Sequence, residues 1–298
     1  MDKSTLRYIG KRLLMSALTL MIIVFVLFVM LKLMPGTPFN YEKLTEAQKA
    51  LIYAKYGFDK PIWEQFITYF RQMLSGDFGI SYGISRNLPV SNLVMPRIPI
   101  SFGIGFAAVV LGTVIGILLG IFAALRRNTI GDSISTVIAV LGVSVPSFVL
   151  CLILLIAFGV KIPVFPILFN SSQPIKSSII PIIALSFSVI ANVARFTRSE
   201  MVEVLSSDYM LLAESKGLDR KTLIRRHAIR NTLIPVITVL APIMVALMTG
   251  SMVIEQICGI PGLGSLLVQS ITVNDYNVTI AVAFIYSVMY IAMMLIVD

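Results

Sequence analysis

The sequence predicts an all-α, polytopic membrane protein, and three observations carry that expectation. Hydrophobic residues make up 57% of the 298 residues and charged residues only 13%, at a mean hydropathy of +0.91, far outside the composition of soluble domains. Uncharged apolar runs recur along the chain, each near or above the roughly 20 residues that cross a bilayer as helix. The runs are continuously apolar instead of alternating in segments of about 10 residues, which argues against a membrane β-barrel.

Six spans follow in order, at Leu13–Leu31, Ile100–Leu125, Ser133–Val160, Ser177–Ala194, Asn231–Ile254 and Val278–Val297. The first has an apolar core longer than the roughly 7 to 15 residues of a signal peptide, and Pro35-Gly36-Thr37-Pro38 follows in place of a small-residue cleavage site, so it reads as a retained anchor. A large loop separates it from span two. There Glu46–Tyr56 and Pro61–Leu74 show the apolar spacing of short amphipathic helices, split by Gly57-Phe58-Asp59-Lys60. Span two carries Gly112, Gly116 and Gly120 on one face, a smooth strip that lets another helix approach closely. Span three contains Ser144-Val145-Pro146-Ser147-Phe148, and span five contains Pro235 and Pro242. Each imide removes a backbone donor and favours a kink.

Basic residues set the orientation. Lys3, Arg7, Lys11 and Arg12 precede span one, Arg126 and Arg127 follow span two, and Arg195, Arg198, Lys216, Arg220, Lys221, Arg225, Arg226 and Arg230 follow span four. Only Lys161 and Lys176 lie between spans three and four, and no base lies between spans five and six. Retention of Lys and Arg on the cytoplasmic side places both termini there and the large loop outside. The net charge of +9 then faces anionic lipid, and nucleic acid need not be invoked.

Chemistry of its own is hard to find in this chain. It has no Gly-x-x-x-x-Gly-Lys-Ser/Thr phosphate loop and no His-Glu-x-x-His pair. His227, the only histidine, sits among Arg225, Arg226 and Arg230 without a second metal ligand and reads as a solvated surface residue. Cys151 and Cys258 form neither a disulfide framework nor a metal site and read as packing thiols. Acidic residues are almost absent from the spans, which leaves a secondary carrier little to build a proton or ion relay from. Glu255 is the exception, either a carboxylate at the water interface or a contact for the positive end of a cargo. A membrane-embedded enzyme, a passive channel and a secondary carrier are the weaker readings. A permease driven by another subunit is the stronger one.

The polar interval between spans four and five is where such drive could be received. Ser207 or Asp208 can cap a short helix, Tyr209 to Lys216 fits about two turns, and Gly217 can take the left-handed conformation that ends it. Asp219 can cap a second helix carrying Arg220 to Arg230 toward Pro235. Tyr209, Met210, Leu211 and Leu212 are then available to dock into a groove of another protein.

Ala213-Glu214-Ser215-Lys216-Gly217, followed by Leu233-Ile234-Pro235, resembles the E-A-A…G…I-x-L-P loop of ABC importer permeases, with Ala213-Glu214-Ser215 replacing the strict Glu-Ala-Ala. Arg12-Leu13-Leu14 leading to Pro35-Gly36-Thr37-Pro38, Gly57-Phe58-Asp59-Lys60-Pro61, Gly76-Asp77-Phe78-Gly79, Ser144-Val145-Pro146-Ser147-Phe148, Ala228-Ile229-Arg230-Asn231 and Pro261-Gly262-Leu263-Gly264 resemble, in that order, the first permease subunit of dipeptide and oligopeptide importers. The resemblance implies a type I importer permease fold, with residues 1–94 holding the anchor and outer loop and residues 95–298 the transmembrane domain, its coupling loop at about 199–231. It further implies a second, related permease, two cytoplasmic ATPase subunits that bind the ATP and magnesium, and an extracytoplasmic peptide-binding protein. No cofactor is expected in this chain.

On that resemblance Asp208, Tyr209, Ala213, Glu214, Lys216 and Gly217 belong to the coupling loop. Polar groups suited to a peptide's path are Ser144, Ser147, Asn192, Thr249, Ser251 and Glu255, with Pro146 at the kink. Importers of nickel chelates, glutathione or haem use permeases of the same type.

Overall fold

The structure, a computed structural model, describes residues 3–33, 60–250 and 252–297. In chain order the helices are α1 (Lys3–Leu33), α2 (Ile62–Leu74), α3 (Val90–Val94), α4 (Ile98–Leu125), α5 (Ile130–Ser144), α6 (Ser147–Leu155), α7 (Pro174–Leu205), α8 (Asp208–Ser215), α9 (Arg220–Thr222), α10 (Ile229–Gly250), α11 (Met252–Ile257), α12 (Leu263–Thr272) and α13 (Tyr276–Val297). Helix dominates because a backbone in hydrocarbon must satisfy its own polar groups. Among the described residues five helices are long and apolar enough to cross a membrane, and α5 with α6 supplies a sixth if the bent pair counts as one span.

That bent pair corrects the expectation of one continuous helix over 133–160. The two halves meet at 97°. Val145 is extended at φ −84° and ψ 119°, and Pro146 opens α6 at φ −58°. The proline ring excludes its predecessor from the helical region, so the break lies in Val145-Pro146 itself. The prolines of α10 act differently: the helix continues through both Pro235 and Pro242.

The chain divides into two compact units, one built from its N-terminal part up to residue 99 together with residues 261–295, the other from residues 100–260. In the first, Val24, Phe28 and Leu31 of α1 join Tyr69 and Met73 of α2 in a core shared with α12 and α13. α2 starts one residue after Pro61, as its apolar spacing predicts. The helix expected at 46–56 and residues 57–59 of the intervening turn lie outside the described residues. Burial pushes the Tyr69 hydroxyl well above the ordinary tyrosine range. Asp275, fully buried, ties this unit together: its Oδ2 accepts from Ser81 Oγ at 2.5 Å and from the backbone N–H groups of Tyr82, Gly83 and Ile84 at 3.1, 2.9 and 3.1 Å.

The second unit is organised around α7, against which α5, α6 and α10 all pack. α4 reaches α7 through the glycine strip. A Cβ at Gly112, Gly116 or Gly120 would lie 2.5, 2.8 or 2.6 Å from the Cβ of Val189, Val193 or Thr197, distances at which atoms collide. The strip is therefore an intrachain packing surface, with no room for side chains. Gly142 of α5 meets Ala191 in the same way, at 2.6 Å. Cys151 and Cys258, free thiols as expected, turn out to touch each other, with Sγ atoms 3.6 Å apart.

Gly116→Leu should force α4 off α7 and cost about 1–3 kcal/mol, lowering the melting temperature in mild detergent. Gly103→Ala, in the same helix with nothing within 4 Å of the new methyl, should leave it unchanged. Equal melting of the two variants would show that α4 and α7 do not depend on the close approach.

Candidate functional site

The segment between α7 and α10 folds as its local signals dictate. α8 covers Asp208–Ser215, and Gly217 takes φ +80° after it. A Cβ there would meet nothing within 4 Å, so the glycine is needed for its backbone conformation alone. Its N–H bonds the Glu214 carbonyl at 2.9 Å, closing the helix end. Ser207 occupies the N-cap position, but its Oγ donates backward to the Val204 carbonyl at 2.6 Å and does not cap the helix, which corrects that expectation. Asp219 does cap: its Oδ2 accepts from the Thr222 N–H at 3.1 Å, and these hydrogen bonds from Thr222 hold its carboxyl below the usual carboxylate range.

The second predicted helix is not separate from the membrane span. α9 runs through a wider π-helical stretch, Leu223–Ala228, directly into α10, so 220–244 forms one span-length helix. Stretches of this kind interrupt the regular i→i−4 ladder and often mark functional positions. His227 lies within it and is half-buried, not fully solvated.

α8 has two faces. Met210 and Ala213, three residues apart, are buried with Ala124 of α4, Met201 of α7 and Leu223 and Ala228 of the π-helical stretch. Tyr209, Leu211 and Leu212 point outward, Leu211 at 68% and Leu212 at 57% exposure. Asp208, Glu214, Lys216 and Gly217 are exposed as well, whereas Ala213 faces inward. A cavity of about 540 Å³ runs beside the helix, lined by Leu205, Met210, Glu214 and Leu223 among others.

The expected pathway residues are dispersed. Ser144, Pro146 and Ser147 cluster at the α5–α6 bend, the first two exposed. Gly142, two residues before Ser144, packs on Ala191 beside Asn192. Asn192, Arg195, Phe196 and Ser199 of α7 line a cleft of about 570 Å³ closed on its other side by Val239, Pro242 and Ile243 of α10. Glu255 is not at a water interface. It is 1% exposed and accepts a hydrogen bond from Ser101 Oγ at 2.7 Å, which corrects that reading. Ser251 lies outside the described residues, as does the side chain of Thr249.

One charged pair escapes a reading of the sequence. Arg198 of α7 donates through Nε and one terminal nitrogen to both oxygens of Asp132, at 2.5 and 2.7 Å, and Asp132 also accepts from the Asn128 N–H at 3.0 Å. Asp132 is 4% exposed. The fork fixes the start of α5 to α7, ten residues before α8 begins. Asp132 precedes the predicted third span by one residue and reads as loop polarity. Arg198 reads as one more member of a basic cluster. Among the described residues no three His, Cys, Asp or Glu side chains gather into a metal-binding group.

Asp132→Asn should destabilise the protein by about 2 kcal/mol, less than a fully buried pair because a third of the Arg198 side chain is exposed. Asp132→Asn combined with Arg198→Met should recover much of the loss, measured as melting temperatures in the same detergent. A combined loss equal to the sum of the single losses would show that the two side chains act independently.

Residues 116–298 match the family described as the binding-protein-dependent transport system inner membrane component. Residues 5–104 match the N-terminal region of binding-protein-dependent transport system membrane components. The dipeptide transport system permease protein DppB of Lactococcus lactis subsp. cremoris is 44% identical over 292 residues, 98% of this chain and 95% of the relative. The oligopeptide transport system permease protein OppB of Salmonella typhimurium is 37% identical over 281 residues, 94% of this chain and 92% of the relative. A crystal structure of an amino acid ABC transporter with histidines shares the fold at a TM-score of 0.55 and 19% identity, over 70% of this chain and 92% of that one. With family matches covering nearly all of its length and full-length relatives above 30% identity, the chain belongs to the inner membrane components of binding-protein-dependent transport systems.

Proposed function

We propose that the chain forms half of the translocation path of an ATP-driven importer of dipeptides or oligopeptides, and that α8 receives the drive from separate ATPase subunits. The observation that carries this reading is the two-faced α8, with Met210 and Ala213 anchoring it to the bundle and Tyr209, Leu211 and Leu212 left as an apolar edge outside it. A polar segment gains nothing by exposing two leucines to water, and a docking groove on another protein would bury them. The peptide cargo follows from the relatives, which are named as dipeptide and oligopeptide permeases over nearly the whole length of this chain.

The remaining parts of the machine follow from the same reading. A second, related permease completes the path, an extracytoplasmic peptide-binding protein delivers cargo, and ATP with magnesium is held by the two ATPase subunits. No cofactor belongs to this chain. Both termini lie in the cytoplasm with α8, where the basic residues collect. Residues 95–298 act as the transmembrane domain, and residues 1–94 as its anchor and outer loop.

The connectivity supplies a mechanism. α8 joins the C-terminal end of α7 to the start of the continuous 220–250 helix, and those two helices are the walls of the Asn192 cleft. When ATP draws the ATPase subunits together, α8 moves with them and the spacing of the walls changes, a rigid-body switch between two states. The short connectors at Ser206-Ser207 and Lys216-Gly217 take up the rotation.

Gly217→Pro cannot adopt φ +80° and should keep the complex in the membrane with ATP hydrolysis intact while peptide uptake falls at least tenfold. Gly217→Asn, which tolerates the left-handed region, should retain most uptake. Uptake and hydrolysis are measured together in proteoliposomes holding the whole complex, and normal uptake by the proline variant would falsify the coupling role of α8.

A further inference from the structure

We propose that Arg195 is a specificity residue that reads the carboxylate of the transported peptide inside the α7–α10 cleft; this rests on the peptide-importer reading above. The cleft, about 570 Å³, has the size of a small-ligand site. Arg195 and Ser199 are exposed in it and Asn192 half-exposed. With Ser188 they form a stripe at spacings of four, three and four, one face of the helix.

Two readings of that stripe compete, a lipid-facing surface and a water-filled path. An arginine at the end of an uncharged run, as Arg195 is, can extend its long side chain to the lipid headgroups and need not signal a path. Asn192 and Ser188 cannot. They lie roughly 4 and 10 Å deeper along the helix at 1.5 Å per residue, within the uncharged run 177–194, and their side chains are short. Polar groups at that depth face protein or water. The Asn192 amide donates to the Ser188 carbonyl at 2.8 Å, which still leaves its side-chain oxygen to accept a peptide N–H.

The neighbouring arginine sharpens the assignment. Arg198, one turn further on, is committed to Asp132 in a two-pronged ion pair. Arg195 makes no ion pair with any described residue, although Arg is suited above other side chains to a bidentate bond with a carboxylate. Phe196 and Ile243 border it with apolar surface, and a bound peptide would complete a less polar surrounding in which such a bond is stronger than in open water. Every unmodified peptide carries one C-terminal carboxylate whatever its side chains, so one arginine can serve a cargo of variable sequence.

The test uses the complete complex in proteoliposomes and two probes, alanyl-phenylalanine and its C-terminal amide. Comparing Arg195→Gln with the unaltered complex cancels any preference of the binding protein, which is the same in both. The expected result is a fall of about tenfold in the ratio of free-acid to amide uptake in Arg195→Gln, with Arg195→Lys keeping most of the ratio. A parallel loss of both peptides assigns Arg195 a structural role, and an unchanged ratio removes it from recognition; either overturns the proposal while leaving the peptide importer intact. Failure of the unaltered complex to move either probe would remove the cargo reading and this inference together.

A second measurement does not depend on cargo. Asn192→Cys should react with a charged, water-soluble thiol reagent in nanodiscs, against a low background because Cys151 and Cys258 are 0% and 1% exposed. A cysteine that stays unmodified there would place the stripe in lipid and overturn the proposal.

Discussion

Within the 100–260 unit everything functional hangs on the close approach of α4 to α7. Lipid tails are as apolar as leucine, so helices in a bilayer gain little from burying leucine against leucine and associate through tight packing instead. Gly112, Gly116 and Gly120 remove the side chain at three successive turns of α4, and Val189, Val193 and Thr197 of α7 fill the space. With α4 held on this side and α5 held through Gly142 on Ala191, α7 becomes a fixed post. One wall of the cleft, with Asn192, Arg195, Phe196 and Ser199, and the arginine of the ion pair with Asp132 are mounted on it.

The same helix shows how one short sequence can divide charge between structure and chemistry. Arg195 and Arg198 are three residues apart and so differ by about 60° around the helix axis, at 100° per residue. That rotation turns Arg198 toward the buried Asp132 and Arg195 into the cleft. An arginine with a carboxylate partner stabilises a helix contact, whereas one without has its donors left for a ligand. Read as a cluster the two look alike, and only the neighbouring helices separate them.

Much of this molecule is legible in its sequence because the signals are local. Apolar runs of bilayer length locate the spans, Pro146 locates the break in the third, and Gly217 with Asp219 places the end of α8 and the start of the next helix within a residue. What escapes depends on which faces meet after folding. Asp132 and Arg198 are 66 positions apart, Cys151 and Cys258 are 107 apart, and Ser101 and Glu255 are 154 apart. Glu255 ends an apolar run, and from sequence that is where a carboxylate would meet water. Ser101 turns the same position into a buried hydrogen bond, and no periodicity announces it. The Pro235 and Pro242 positions show the converse limit, because a proline's local penalty is real yet the helix continues through both.

The two walls of the cleft are not equally held, and this gives the proposed switch a direction. α7 is braced by α4, by α5 and by the Arg198–Asp132 fork, whereas α10 enters through the π-helical stretch Leu223–Ala228 and an exposed Asp219 cap. Thr232 Oγ1 bonds the Ala228 carbonyl at 2.9 Å and Met201 Sδ at 3.3 Å, a buried contact between the base of α10 and α7. A displacement of α8 therefore falls mainly on α10, the less braced wall. On the proposed switch, Arg195 and Asn192 stand on the braced wall and would keep their positions while the opposite side of the cleft moves.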